Sequence, residues 1–510
     1  MSFATIFTRA GVGLSAPEVC IETHLSSGLP NLSIVGLPEA AVRESKDRVR
    51  SAILQSGYHF PSGRITINLA PADLPKEGGR FDLAIALGIL AASNQIPTTA
   101  LHDIEFYGEL ALSGHLRPVR GMLTAALAAT KADKIILLPE GNVMEATLNT
   151  QTKVIPCDHL LTVCAYLNQS RSIPFAISSI SPEPWYSPLD MADINGQEQA
   201  KRALEIAAAG GHSLLFYGPP GTGKTMLASR LPGILPPLTQ QEAIEVLSVY
   251  TLSKTIATDH LKNVWQVRPF RAPHHTASAP ALIGGGSSPQ PGEVSLAHHG
   301  VLFLDELPEF ERKTIEVLRE PLESGSVTIS RARNHVQFPA RFQLVSAMNP
   351  CPCGYFGTKE LTCSCSAEQI QRYRQKISGP LLDRIDMHVE VRLLKREQLL
   401  APQSHHAETS AMIRQRVEKA RQVQLHRSEK ANFLLTPKEL EQVCPLDAPT
   451  RAFLEKAMEK LNLSARAYHR ILRVSRTIAD LENATQIAAH HCAEALQYRT
   501  LDRGYTPKVK

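Results

Sequence analysis

The sequence lacks the long apolar segments that membrane-spanning and secreted proteins carry. It has no uninterrupted stretch of about 18 apolar residues, so no membrane span is expected. Its first residues, MSFATIFTRAGVG, contain no basic segment followed by a long apolar one, so no signal peptide is expected. A large excess of either charge is also missing, because the formal net charge is only +5. Any site for a polyanion must therefore come from local clusters of basic residues.

Cysteine is scarce, with nine residues among 510. Because the number is odd and the residues are scattered except for one cluster, they fit a reducing cytoplasm better than a disulfide framework. A cytoplasmic location is therefore expected. The apolar share of 43% is that of an ordinary globular protein, and the length exceeds one hydrophobic core. Two or three domains are expected.

What the sequence does contain is a complete phosphate-binding pattern, G-x-x-x-x-G-K-[ST]. An apolar run over 214–217, typical of a buried strand, leads into it. The glycines allow successive backbone N–H groups and the next helix N-terminus to face a phosphate chain. Lysine is expected to reach the β- and γ-phosphates, and the threonine hydroxyl to bind Mg²⁺. The motif consists of Gly218, Pro219, Pro220, Gly221, Thr222, Gly223, Lys224 and Thr225.

A second apolar run, 301–304, ends in two acidic residues. Asp305 is expected to bind Mg²⁺ and Glu306 to activate the attacking water. A further strand is predicted over 342–347, and Asn349 after it is a candidate to orient that water; the alternative is a simple Asn-Pro turn. Together these motifs predict a protein that binds and hydrolyses a nucleoside triphosphate.

The chain divides by composition into an α/β arrangement of domains. Strands alternate with helices over 1–168, and a proline-rich linker covers 169–190. An ATPase core is predicted over 191–395, with helices over 198–209 and 311–323 and an insert before Asp305. Residues 326–329 and 336–338 are expected to form a hairpin with a basic turn. Residues 396–510 read as a helical lid.

Two arginines are candidates for stabilising a γ-phosphate. Arg384 lies among acidic residues in LLDRID, and it could act on a nucleotide bound by a neighbouring subunit or simply pair with a nearby aspartate. Arg466 opens a predicted helix in the lid, from which it could contact the nucleotide; a solvated arginine is the alternative.

These motifs, with RPFRAPHHTASAPALIGGG at 268–286 and NPCPCGYFG at 349–357, resemble the magnesium-chelatase-like branch of the AAA+ ATPases, and in particular the bacterial ComM/YifB competence-protein family. The resemblance covers nearly the whole chain. It implies a three-layer α/β ATPase with a helical lid, using ATP and Mg²⁺ in a homo-oligomeric ring of six subunits. It also implies that Arg384 acts in trans and that Arg466 is the sensor arginine.

The N-terminal region resembles the protease domain of Lon-type peptidases, of ribosomal-S5-like fold. Where the Lon pattern has its nucleophilic serine and its lysine, this sequence has Arg80 and Leu123. Neither supplies a hydroxyl or a base. The domain is therefore expected to serve assembly or DNA contact, as in the RadA-type ATPases it also resembles.

Four cysteines, Cys351, Cys353, Cys363 and Cys365, form two C-x-C pairs that are expected to hold a structural Zn²⁺, with reduced thiols or another metal or redox pair as alternatives. Local basic clusters are candidates for gripping a DNA backbone without reading bases. Those named are Arg331, Arg333, Arg341, Arg268 and Arg271. The His-His doublets at 274–275 and 298–299 are expected to be solvated or to line a pore.

The function expected from this resemblance is that of a DNA translocase or helicase that promotes branch migration during natural transformation. Single-stranded or branched DNA would be the substrate, and recombination proteins are further candidate partners. The alternatives are a chelatase-type motor, an ATP-dependent protease and a nucleotide-switched DNA-binding scaffold.

Overall fold

The computed structural model of the protein describes residues 3–177, 187–253, 265–286, 289–330, 335–358, 362–394, 407–461 and 463–501. The chain forms two compact units. The first contains Met1–Glu183 with Ala243–Trp265 and Ser330–Phe338, and the second contains Pro184–Glu242, Gln266–Ile329 and Pro339–Lys510. No helix in the described part of the chain combines the length and the apolar character that a bilayer crossing requires.

The first unit contains a seven-stranded mixed sheet in the order β3-β4-β2-β1-β5-β8-β9. Strand β2 is antiparallel to both its neighbours, whereas the other pairs are parallel. A separate two-stranded sheet pairs β6 with β7. The strands are β1 (Phe3–Arg9), β2 (Glu18–Ser26), β3 (Asn31–Val35), β4 (Arg64–Ala70), β5 (Ile104–Phe106), β6 (Glu109–Leu110), β7 (Leu116–Arg117), β8 (Ile135–Pro139) and β9 (Val154–Cys157).

Residue patterning explains which faces of this unit are buried. Strand β4 alternates between buried and less buried positions, as its alternating sequence RITINLA predicts. The helix Asp82–Ala92 is apolar almost all round, and every one of its residues is buried. The helices are α1 (Ala40–Gln55), α2 (Asp82–Ala92), α3 (Met122–Lys131), α4 (Val143–Ala146) and α5 (Leu160–Leu167).

The second unit is built on a five-stranded parallel sheet in the order β11-β14-β17-β10-β18. Its central strands are runs of mostly apolar residues and are buried, as parallel strands covered on both faces must be. The strands outside the first unit's sheets are β10 (Leu214–Tyr217), β11 (Phe270–Arg271), β12 (Gly284–Gly285), β13 (Gln290–Pro291), β14 (Val301–Leu304), β15 (Ser326–Ser330), β16 (His335–Pro339), β17 (Gln343–Met348) and β18 (Met387–Glu390).

The helices that follow the sheet share its core. Leu214 and Phe216 of β10 belong to the same buried cluster as Ile471 and Ile478 of the long C-terminal helix. The remaining helices are α6 (Glu198–Gly210), α7 (Lys224–Ile234), α8 (Gln240–Leu252), α9 (Ala279–Ile283), α10 (Glu293–Leu296), α11 (Arg312–Glu316), α12 (Arg319–Ser324), α13 (Ala367–Arg374), α14 (Gly379–Leu382), α15 (Ser410–Ser428), α16 (Pro437–Val443), α17 (Ala448–Leu461), α18 (Ala465–Leu481) and α19 (Ala489–Gln497). The second unit thus contains the helical lid and the predicted ATPase core, except for the segments Ala243–Trp265 and Ser330–Phe338.

Local sequence signals set several of these boundaries. Thr436 caps α16 through a capping box with Glu439, and Pro437 is the first residue of that helix. The prediction of one helix over 311–323 is wrong, because the segment forms α11 and α12. A continuous helix would bring the ring of Pro321 against the carbonyl of Val317, whereas Pro321 near the start of α12 needs no helical hydrogen bond.

A buried carboxylate, Asp480, links three segments of the helical region. It accepts hydrogen bonds from Arg427 of α15 at 2.7 and 2.9 Å, from Arg476 at 3.0 Å, and from Asn432 at 2.9 Å. The Asp480 side chain is fully buried, so these partners replace the water that it loses.

Replacing this carboxylate should destabilise the helical region. Asp480→Ala leaves the buried guanidinium of Arg476 without its anion, which should lower the free energy of unfolding by about 3–5 kcal/mol. Urea unfolding followed by circular dichroism measures the change, with the exposed Glu441→Ala as the control. A loss below about 1 kcal/mol would show that the network adds little stability.

Candidate nucleotide site

Three polar loops meet at one edge of the parallel sheet in the second unit. The phosphate-binding motif follows β10, Asp305 follows β14, and Asn349 follows β17. In the register of the sheet, Tyr217 is paired with Met348, and Leu304 with Ser346. The carboxyl ends of these strands therefore lie side by side, which is where open α/β sheets bind ligands.

Lys224 is held close to the backbone of its own motif. Its Nζ donates to the carbonyl oxygens of Gly218 and Pro219 at 2.8 Å and to Asn349 Oδ1 at 3.2 Å. Burial lowers the pKa of Lys224 to about 8, while Asp305 and Glu306 act in the opposite direction. The contact with Asn349 brings together two residues, Lys224 and Asn349, that separate sequence motifs had indicated.

The magnesium candidates are also in contact. Thr225 Oγ1 donates to Asp305 Oδ2 at 2.7 Å. A hydroxyl and a carboxylate at this distance can bind the same Mg²⁺, whose preferred ligands are oxygen atoms. The other oxygen, Asp305 Oδ1, accepts from the backbone N–H of Glu306 at 2.9 Å, which fixes the orientation of the carboxylate. These residues fit a magnesium–triphosphate complex.

Glu306 has a partner that the motifs did not reveal. His275 Nδ1 lies 3.2 Å from Glu306 Oε2, and the His275 ring packs edge-on against Phe310 at a centroid distance of 6.5 Å. The backbone of Glu306 is left-handed, with φ of 51°, which turns its side chain away from the direction that an extended strand would give. The sequence signal was the doublet His274-His275 just after β11, a strand that pairs with β14.

The other doublet, 298–299, differs from the first, in which His274 is exposed. His298 is buried, and its Nδ1 accepts from the backbone N–H of Arg341 at 3.0 Å. The expectation of a solvated or pore-lining role is therefore wrong for His298. Gln197, which no motif singled out, joins the start of α6 to the phosphate loop: its Nε2 donates to Thr222 O at 3.3 Å and to Arg392 O at 2.8 Å.

Arg384 lies at the other end of the same sheet. Its side chain is only 9% exposed, pairs with Glu323 and donates to Pro380 O at 2.7 Å. The sequence suggested a pair between Arg384 and a nearby aspartate. In the structure Arg384 pairs with Glu323, which lies 61 residues away in the chain.

Arg384 and Arg466 line one cavity of about 470 Å³. Gly211 and Ser213, which precede β10, line it too, together with Arg470. The phosphate loop follows the other end of β10, and four residues of strand span roughly 13 Å. Arg466 is exposed at the start of α18. Both arginines therefore lie away from their own phosphate loop, and a contact of Arg466 with a nucleotide stays a prediction.

Ion pairs and hydrogen bonds hold the charged side chains in the wall of this cavity. Burial alone would raise the pKa of Asp386, but Arg470, His212 and Arg473 hold it well below its usual range. Asp386 also accepts from the backbone N–H of Ser213 at 3.0 Å and from Arg470. The carboxylate thus ties the cavity-lining helix α18 to the start of β10.

Two of the candidate DNA contacts, Arg268 and Arg271, pair with other groups of the protein in this structure. Arg268 has a side chain only 14% exposed, and it donates to His299 O at 2.6 Å and to Pro236 O. Arg271 forms a bidentate pair with Glu293, with contacts of 2.6 and 2.8 Å, which neutralises its charge. Their roles as DNA contacts stay predictions. Arg331 and Arg333 lie outside the described residues, between β15 and β16.

The four clustered cysteines converge. The Sγ atom of Cys351 lies 3.3 Å from that of Cys353 and 3.7 Å from that of Cys363, and the last two are 3.5 Å apart. All four sulfur atoms lie within 4.8 Å of one another. Tetrahedral zinc with Zn–S bonds of about 2.3 Å needs sulfur separations of roughly 3.8 Å, whereas a disulfide needs about 2.05 Å. The thiols therefore fit a metal shell and are not disulfide-bonded.

The positions that match the Lon catalytic pair carry no nucleophile. Arg80 is buried and donates to Arg120 O at 3.1 Å. Leu123 is fully buried in α3. Both side chains serve the packing of the first unit.

Comparison with known proteins covers most of the chain. A family profile described as "Magnesium chelatase, subunit ChlI" matches residues 190–399, "Subunit ChlI of Mg-chelatase" matches 21–142, and "Magnesium chelatase, subunit ChlI C-terminal" matches 407–499.

Individual relatives differ in their sequence identity to this chain and in how much of it they cover. The competence protein ComM of Haemophilus influenzae is 53% identical over 99% of this chain and 98% of its own length. The uncharacterised YifB protein of Salmonella typhimurium is 49% identical over 99% of this chain and 98% of its length. The magnesium-chelatase 38 kDa subunit of Rhodobacter capsulatus is 25% identical over 58% of this chain and 83% of its length.

The contact between His275 and Glu306 leads to a kinetic prediction. Because the imidazole occupies the carboxylate oxygen that would accept a proton from water, His275→Ala should raise kcat for ATP hydrolysis roughly three- to tenfold and leave KM unchanged. His275→Gln, which keeps a hydrogen-bond donor, should restore the lower rate. Steady-state ATPase assays measure both.

His426→Ala, at an exposed position of α15, is the control. A fall in kcat for His275→Ala would show that the imidazole supports the active orientation of Glu306 rather than restraining it.

Proposed function

Because the chain belongs to the ComM/YifB family of magnesium-chelatase-like AAA+ ATPases, we propose that it is a ring-forming, ATP-driven DNA translocase or helicase that promotes branch migration in recombination during natural transformation. Its place of action would be the cytoplasm, and its substrate single-stranded or branched DNA.

The observation that carries the ring is the separation of Arg384 and Arg466 from the phosphate loop by the length of β10. An arginine that stabilises a transferring γ-phosphate must reach it directly. In a closed ring with head-to-tail contacts, the cavity that holds both arginines would face the phosphate loop of the next subunit. The proposed ring has six subunits.

The roles within such a site follow from the contacts. Lys224 would exchange its backbone carbonyl partners for the β- and γ-phosphates, and Thr225 with Asp305 would hold Mg²⁺. Asn349, in contact with Lys224, would orient the attacking water. Glu306 would accept its proton, and Arg384 of the next subunit would stabilise the charge that develops on the γ-phosphate.

The DNA part of the proposal is supported by full-length similarity to a protein named for competence. Arg331 and Arg333, in the sequence between β15 and β16, are candidates for gripping the phosphate backbone, together with Arg268 and Arg271, and such contacts would not depend on base sequence. The first unit, with Arg80 and Leu123 in place of a nucleophile and a base, would serve assembly or DNA contact and not proteolysis.

The four cysteines are proposed to bind one structural Zn²⁺. This proposal is supported by the close approach of their sulfur atoms and by N–H donors to two of them: Phe356 N lies 3.3 Å from Cys351 Sγ, and Cys353 N lies 3.4 Å from Cys365 Sγ. Such donors stabilise thiolates bound to a metal.

The partial match to magnesium-chelatase subunits favours a second candidate, a chelatase-type motor. The third is a nucleotide-switched scaffold that binds DNA without moving along it. Both alternatives keep the ATPase chemistry. They differ from the translocase in what ATP hydrolysis is used for.

The decisive assay compares ATP hydrolysis with and without single-stranded DNA, together with strand displacement on a forked duplex. DNA should raise kcat several-fold, and unwinding should require hydrolysable ATP. Glu306→Gln should still bind ATP, but its kcat should fall roughly 10²–10⁴-fold because the proton acceptor is lost, and it should not unwind DNA.

DNA binding with an unstimulated ATPase and no unwinding would point to the scaffold. Stimulation by a metalloporphyrin precursor and not by DNA would point to the chelatase-type motor.

A further inference from the structure

The four-cysteine cluster lies beside the nucleotide site and not in a remote insert. Cys351 follows Asn349 by two residues, and Asn349 Oδ1 contacts Lys224 Nζ at 3.2 Å. Cys351 itself is completely buried. A displacement of Cys351 is therefore passed through two peptide units to the partner of the phosphate-binding lysine.

A second contact joins the cysteine loop to the phosphate loop directly. Gly354, with φ of +87°, lies so close to Pro220 that a Cβ at this position would sit 2.7 Å from Pro220 Cδ. The chain turns tightly here, because Gly354 N donates to Cys351 O at 3.0 Å. The turn that begins at the first cysteine thus forms one wall of the phosphate loop, and only glycine fits at the point of contact.

The helix after the last cysteine closes the arrangement. Cys365 directly precedes Ser366, the N-cap of α13. From the last residue of that helix, Arg374 Nε donates to Pro350 O at 3.2 Å, and its guanidinium lies 5.3 Å from the centroid of the Phe356 ring. A metal bound by the four thiols would therefore join the two C-x-C pairs. It would hold both ends of the segment 351–365 close to Asn349 and Pro350.

We propose that metal binding by Cys351, Cys353, Cys363 and Cys365 controls ATP binding, because the metal-closed loop holds Asn349 and Pro220 in the positions that the triphosphate requires. The inference rests on the proposed zinc site and on the ATPase chemistry, and not on DNA translocation. Without a metal, no metal–sulfur bond joins the two C-x-C pairs. The loop would open, and the energy of metal binding that stabilises the fold locally would be lost.

The test uses the full-length chain and two readouts, zinc per chain by elemental analysis and the Kd of a fluorescent ATP analogue by titration. Wild type should contain about one Zn²⁺ per chain. Cys363→Ser should lose it and bind the analogue roughly tenfold or more weakly. Cys20→Ser, in the first unit, is the control, and both of its values should equal those of wild type.

A second variant separates the contact from metal binding and from folding. Gly354→Ala keeps all four thiols but places a methyl group against Pro220, so it should retain zinc and still weaken binding of the analogue roughly tenfold. Gly379→Ala is its control, because a Cβ there meets no atom within 4 Å, and it should bind normally. Circular dichroism checks that each variant is folded.

Wild-type zinc well below one ion per chain would overturn the metal site. A folded, zinc-free Cys363→Ser that binds the analogue as tightly as wild type would overturn the coupling. If zinc and nucleotide affinity change together as expected while DNA fails to stimulate hydrolysis, this inference stands and only the translocase proposal falls.

Discussion

A strand of four residues, Leu214–Tyr217, separates the two groups of residues that we propose to act on a nucleotide. The phosphate loop follows its carboxyl end, whereas the cavity lined by Arg384 and Arg466 opens at its amino end. The strand is central in a parallel sheet and buried, so no side-chain rotation can bring the two ends together. Each chain therefore has phosphate- and magnesium-binding residues at one end and arginines at the other, and this separation is the physical basis for proposing a ring.

Around the phosphate loop, several contacts restrain the groups that would react. Lys224 is bonded to backbone carbonyls and Asn349, Glu306 faces His275, and Gly354 packs on Pro220. These contacts come from the phosphate loop itself, from the segment that carries His275 and from the segment 349–354. The site can therefore respond to events in the insert that carries His275 and in the cysteine loop, which are the parts that distinguish this chain from a minimal phosphate-loop ATPase.

The sequence predicted those features that depend on short-range pattern. The phosphate loop and the acidic pair after β14 both arise from residues close together in the chain, and the sheet brings Asn349 to Lys224 as expected for parallel strands. It failed where a partner is distant. The residues near Arg268 in the sequence do not indicate that it donates a hydrogen bond to the carbonyl of His299. The residues near Arg384 do not indicate that it pairs with Glu323. The pairing of His275 with Glu306 likewise depends on two neighbouring strands.

The central claim is that each nucleotide is hydrolysed between two subunits, and mixing two inactive variants tests it most directly. Lys224→Ala removes the phosphate-binding group from one face, and Arg384→Ala removes the arginine from the other; each should be inactive alone. In equimolar mixed rings about a quarter of the interfaces join an intact phosphate loop to an intact arginine. The account predicts that mixing restores ATP hydrolysis to about a quarter of the wild-type rate, whereas a mixture as inactive as its components, or full activity of Arg384→Ala alone, would contradict it.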